Sequence, residues 1–162
     1  MNMTLKRIIL AIIISSAPAL TRCDLQLKDA PEIKTSGFLS DRCYQAILVI
    51  EPDQDARGLV ASRKSAADKA SDRTYLHRMA LTSMADHAIN EGRRTGALNT
   101  KANGFDLEQY RTDLAKTLSG FTGRGRTAFT YYNENHSMVV CYRLCATGLK
   151  NKMAAIIAVP EN

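Results

Sequence analysis

The apolar positions of this chain change period several times, and each change predicts an element. Cys43-Tyr44-Gln45-Ala46-Ile47-Leu48-Val49-Ile50 has strand composition and stops at Glu51-Pro52-Asp53. Its last four residues are continuously apolar, which predicts a central strand buried on both faces. Residues 54–71 are rich in Ala, Lys, Arg and Asp with few large apolar groups, the pattern of an exposed helix. Leu76, Met79, Ala80, Ser83, Met84 and His87 then recur at helical spacing, with Gly92 placed as a C-terminal cap. A third helix opens at Asp106, where Gln109 completes a capping box, and runs along Leu107, Tyr110, Leu114 and Leu118 to a stop at Gly120.

The remainder reads as strand. Residues 127–132 and 137–145 form a hairpin across the turn-rich Asn133-Glu134-Asn135-His136, and residues 153–159 supply a last strand ended by Pro160. Residues 20–40 are polar and irregular, broken by Pro31 and Gly37. The expected fold class is therefore α+β: a four-stranded antiparallel sheet with two or three helices packed on one face. No repeat, linker or low-complexity tract divides the chain, so residues 20–162 are expected to form a single domain.

The first 19 residues have a different character. Lys6 and Arg7 precede the apolar run Ile8-Ile9-Leu10-Ala11-Ile12-Ile13-Ile14, and Ala17-Pro18-Ala19 is a small-residue cleavage site, so residues 1–19 read as an export signal. The run is shorter than the roughly 18–20 apolar residues that span a bilayer, so no stable membrane insertion is expected. Arg22 stands where a lipoprotein signal needs a small residue before Cys23, which argues against lipid anchoring. The expected destination is outside the cell, with a bacterial periplasm as the alternative. Losing Lys6 and Arg7 takes the formal charge from +6 to about +4, a milder bias than dedicated nucleic-acid binders carry.

Export changes the reading of the cysteines. Cys23, Cys43, Cys141 and Cys145 all follow the cleavage site, and an even count in an oxidising compartment predicts two disulfides. Residues four apart on one strand are separated by about 13 Å, beyond disulfide reach. Cys141 and Cys145 are therefore expected to pair with Cys23 and Cys43, stapling the start of the domain to its end. The single C-x3-C spacing is not a zinc pattern, and no metal or cofactor is expected.

Candidate chemistry gathers at the predicted hairpin. Glu134 and His136, with Arg126 or Arg143, supply the base, acid and anion-stabilising groups of metal-independent phosphodiester cleavage. The same residues are also what a solvated hairpin tip carries. His77 and His87, ten apart on one helix, point about 80° apart and do not make the adjacent pair that helical zinc sites use. No G-x-S-x-G elbow is present. Gly123-Arg124-Gly125-Arg126 has exposed amides and forked donors, and with Arg93, Arg94 and Lys101 it outlines a basic surface for RNA or another polyanion. The competing reading is a solvated loop. Asn135-His136-Ser137 is a glycosylation sequon at the same tip.

The signal, a compact basic domain of this size and a few disulfide cysteines without an enzyme signature resemble small secreted effector proteins of plant-pathogenic fungi. Two groups are similar in plan: ribonuclease-like effectors of powdery mildews, in which a disulfide ties the early chain to its end, and effectors of a canola-infecting fungus with helices over a four-stranded antiparallel sheet. The resemblance implies a secreted protein that binds a host protein and interferes with defence, with no catalytic activity of its own. A periplasmic binding, inhibitor or assembly protein and a secreted ribonuclease-like enzyme are the alternatives.

Overall fold

The computed structural model describes residues 35–100 and 104–157; the expected signal, Arg22, Cys23 and Lys101 lie outside the described residues. In chain order the elements are β1 (Gly37–Ser40), β2 (Cys43–Ile50), α1 (Leu59–Ser71), α2 (Arg73–Thr95), α3 (Leu107–Ser119), β3 (Arg126–Tyr132), β4 (Met138–Cys145) and α4 (Leu149–Ile157). The four strands form one antiparallel sheet in the order β1-β2-β4-β3. The fold is α+β, as its sequence predicts, with four helices among the described residues.

The central pair is β2 and β4, in register over eight residues from Cys43 opposite Cys145 to Ile50 opposite Met138. Their even positions, Tyr44, Ala46, Leu48 and Ile50 with Val140, Tyr142 and Leu144, face the helices and are buried in the main core. The period of two puts Gln45, Ile47 and Val49 on the opposite face with Val139, Cys141 and Arg143. Val49 is 46% exposed there, so β2 is closed on its helix face and partly open on the other, short of the double burial its apolar run predicts.

Helix α2 is the main partner of the sheet. Asp72 caps it, accepting from Thr74 N at 2.8 Å and Tyr75 N at 3.1 Å. Its buried stripe is Leu76, Ala80, Leu81, Met84, Ala85, Ala88, Ile89 and Gly92. Gly92 does not end the helix. Gly96 does, at φ 75°, and a Cβ on Gly92 would lie 2.7 Å from Ile157 Cγ2 and 3.0 Å from Leu98 Cβ. The position is small because α4 and the chain beyond α2 press against it.

Two elements differ from expectation. Residues 149–157 form a helix where a last strand was predicted from 153. The burial of Leu149, Met153 and Ile157 explains it, because a spacing of four places all three on one helical face. The fourth strand is instead β1, within the segment expected to be irregular. Its Phe38 ring packs on Tyr44 and His87 at 5.3 and 5.7 Å. The turn between β1 and β2 is clasped from the far end of the chain, as Ala146 N donates to Arg42 O and Lys150 N to Asp41 O.

The disulfide expectation is corrected in number. One cystine is present among the described residues, Cys43–Cys145, between directly opposed residues whose Cα atoms are 4.2 Å apart. Cys141 is a buried thiol, its sulfur donating to Gln45 Oε1 at 3.1 Å. It lies opposite Ile47 on the sheet, out of reach of Cys43.

Two predictions follow from this packing. Trypsin without reductant should release residues 43–57 joined to 144–150, and reduction of that bond should lower stability by about 2–4 kcal/mol in denaturant unfolding, since it closes a long loop. The Gly125 position lies under the Tyr142 ring, where a Cβ would sit 2.6 Å from Cζ and 2.8 Å from the hydroxyl oxygen. Gly125→Ala should therefore cost about 1–3 kcal/mol by displacing a core aromatic, whereas Gly123→Ala, with only Cys145 O within 4 Å, should be close to neutral.

Candidate functional site

The proposed catalytic group is divided by the sheet. Glu134, Asn135 and His136 form the tip between β3 and β4, while Arg126 and Arg143 face each other at the opposite end of the same strands. Met138 and Arg143 stand five positions apart on β4, about 17 Å of strand. An acid, a base and a phosphate anchor that far apart cannot meet on one phosphodiester. The sequence placed all four on one hairpin but could not say which end of it each would occupy.

His136 and Arg143 also have local roles. At the tip, Ser137 N donates to Asn133 Oδ1 at 2.9 Å and His136 N to Asn133 O at 3.1 Å. Ser137 is fully buried and donates to Glu51 Oε2 at 2.6 Å, tying the tip to the end of β2. His136 has φ 64°, a left-handed conformation that turns the chain back into β4. Asn135 of the sequon is exposed at this tip. At the other end, Arg143 donates through Nε and Nη2 to Gln45 Oε1, both at 3.3 Å, and so serves the polar row of the sheet.

The remaining candidates separate in the same way. Arg93 and Arg94 lie on the last turn of α2, and Arg94 forks onto Glu91 with an Nη2–Oε2 distance of 2.8 Å. Arg124 and Arg126 are exposed at the start of β3. The glycine between them supports the Tyr142 ring, so the Gly123–Arg126 stretch has a packing function of its own. The histidines belong to aromatic clusters: His87 lies against Tyr44 and Phe38, and His77 against Tyr142. Tyr44 is fully buried and donates its hydroxyl to Ser83 O at 3.0 Å. Among the described residues no cluster of His, Cys, Asp and Glu could hold a metal, and no helix is long and apolar enough to cross a membrane.

What the hairpin does present is a bare strand. β3 occupies one edge of the sheet, beyond β4. Helices α1, α2 and α4 pack over β2 and β4, and five of the seven β3 residues are exposed. Phe129 and Tyr131 share the face away from the helices, their rings stacked at 6.3 Å, and Tyr131 is 51% exposed. Tyr132 holds the far end, donating its hydroxyl to Arg63 O at 3.0 Å beneath the Arg63 guanidinium. Alternation in Thr127-Ala128-Phe129-Thr130-Tyr131-Tyr132 marks the strand, but only the sheet order reveals that it is an edge. Comparison with protein-family models, with curated proteins and with solved structures finds no match to this chain.

Burial beside Tyr44 and Phe38 holds the His87 imidazole below its ordinary value of 6.5. The unfolded imidazole therefore takes up a proton at a higher pH than the folded one. Its contribution to stability is full above about pH 6.5 and declines as the pH falls towards the folded value. Denaturation midpoints should drop across that interval in the wild type, and a His87→Gln chain should lack that part of the drop.

Proposed function

We propose that this chain is an exported, effector-type protein that binds a host protein and interferes with defence, without catalytic activity of its own. The observation that carries the reading is the bare aromatic edge strand β3 on a cross-linked sheet. An exposed edge with stacked aromatic side chains is costly to leave unguarded, because it invites pairing with other chains, and it is useful where a partner is meant to dock. The scaffold suits work outside the cell. Its central strands are joined covalently. Separation of Arg126 and Arg143 from Glu134 and His136 weighs against the ribonuclease alternative.

Expression of residues 20–162 in host leaf cells should suppress elicitor-triggered responses, and Tyr131→Lys should reduce that suppression while retaining the Cys43–Cys145 bond. Unchanged elicitor responses across several hosts with the wild-type chain would overturn the reading. Purified protein should leave single-stranded RNA intact. Cleavage that disappears in both His136→Ala and Glu134→Ala would establish the enzyme instead.

A further inference from the structure

Resting on that protein-binding reading, we propose that β3 is a strand-addition site for an extended segment of an acidic partner, with carboxylates about six residues apart. The backbone supplies the first requirement. β3 is paired with β4 on one side, and among the described residues no strand pairs with its other side. An edge of this kind offers a row of amide and carbonyl groups to an incoming chain, and main-chain hydrogen bonds supply the affinity. Its sequence contains no proline and no lysine, the residues that commonly blunt an edge, and a single bulge between Thr127 and Phe129 is its main irregularity.

The side chains select the partner. Arg126 opens the strand, with Arg124 two residues before it, and the Arg63 guanidinium lies 5.1 Å from the Tyr132 ring centroid at the strand's end. None of these three arginines forms an ion pair among the described residues, in contrast to Arg94 and Arg111, which are held by Glu91 and Asp86. From Arg126 to Tyr132 the strand advances about 20 Å. A segment lying along it therefore meets Arg126 and the Phe129–Tyr131 stack on the face away from the helices, and the Arg63 guanidinium beside Tyr132 on the helix face at the other end. Carboxylates at its two termini and β-branched residues between match that pattern, since charge at the rim sets register and approach. A second copy of this chain would bring its own arginines to the same positions, so charge disfavours β3 pairing with itself.

The probe is a synthetic heptapeptide, Glu-Val-Thr-Val-Thr-Val-Asp with blocked termini, titrated into the purified, 15N-labelled wild-type protein. Amide shifts should concentrate in residues 126–132, and a peptide with Lys at both ends should bind at least tenfold more weakly. N-methylation of the peptide at alternate residues should abolish binding on one parity and spare it on the other, because only one edge of an added strand faces the sheet. Reversal of Arg63 and Arg126 together to Glu should invert the preference between the two peptides. Shifts centred elsewhere, equal binding of both peptides or indifference to N-methylation parity would overturn the site. So would a wild-type dimer in sedimentation that dissociates in Tyr131→Lys, which would make the second copy the occupant. If peptide binding is absent while the chain still suppresses host responses, the edge site falls and the protein-binding reading stands; absence of both overturns both.

Discussion

The pairing of β2 with β4 is the interaction on which the other elements depend. Two eight-residue strands from opposite ends of the domain lie in unbroken register, and Cys43–Cys145 closes one end of the ladder covalently. Contacts between residues nearly a hundred positions apart close a long loop, so their closure entropy is large. The cystine removes much of that entropy from the unfolded state. At the other end Ser137 reaches Glu51, so the ladder is held covalently at one end and by a short hydrogen bond at the other. Helices α1, α2 and α4 then have the same platform to pack on. α2 covers the middle of it, α3 is joined to α2 through Arg111 and Asp86 at 2.7 Å, and α4 seats Ile157 in the space that Gly92 leaves open.

The same platform accounts for what is exposed. Helices α1, α2 and α4 lie over the face formed by Tyr44, Ala46, Leu48, Val140, Tyr142 and Leu144, and α3 packs on α2. β3 adds to β4 beyond the reach of that cover, so its Phe129 and Tyr131 stay outside the main core. Helix α1 supports the end of β3 through Tyr132 and is itself held by polar contacts: Ser65 Oγ and Lys69 Nζ both reach Asp53, at 2.7 and 2.6 Å. These bonds draw the Asp53 carboxyl below the ordinary carboxylate range, first through Lys69 and then through Ser65. Only Ala66 of α1 is buried, so the helix is placed by charge and hydrogen bonding more than by apolar packing.

Elements with a long, regular period were legible in the sequence. β2, the β3–β4 hairpin, α2 and α3 stand close to their expected places, and Asp106 caps α3 through Gln109 N at 3.0 Å. The second half of that capping box is not used; the Gln109 side chain turns forward to Asp113. β1 was hidden because four residues beginning at glycine show hardly one full alternation, and its partner Tyr44 lies on another element. α4 was mistaken because Ile156 and Ile157 carry strand composition while the decisive residue, Leu149, lies further upstream. Cys43–Cys145 is one of the pairings that the cysteine positions allow, but nothing in their spacing marks Cys141 as a buried thiol on the face opposite the core. For the candidate site, residue types were visible and distances were not. Glu134, His136, Arg126 and Arg143 are close in sequence, and an antiparallel hairpin sends them to opposite ends.

The central claim is that a cross-linked β2–β4 ladder carries the stability of the domain while β3 is an edge free to pair. Native-state hydrogen exchange resolved to single amides tests it most directly. The hydrogen-bonded amides of 44–50 and 139–144 should exchange only through global unfolding, and the outward amides of β3 should exchange orders of magnitude faster. Equal protection along both edges of β3, or fast exchange within the β2–β4 ladder, would contradict it.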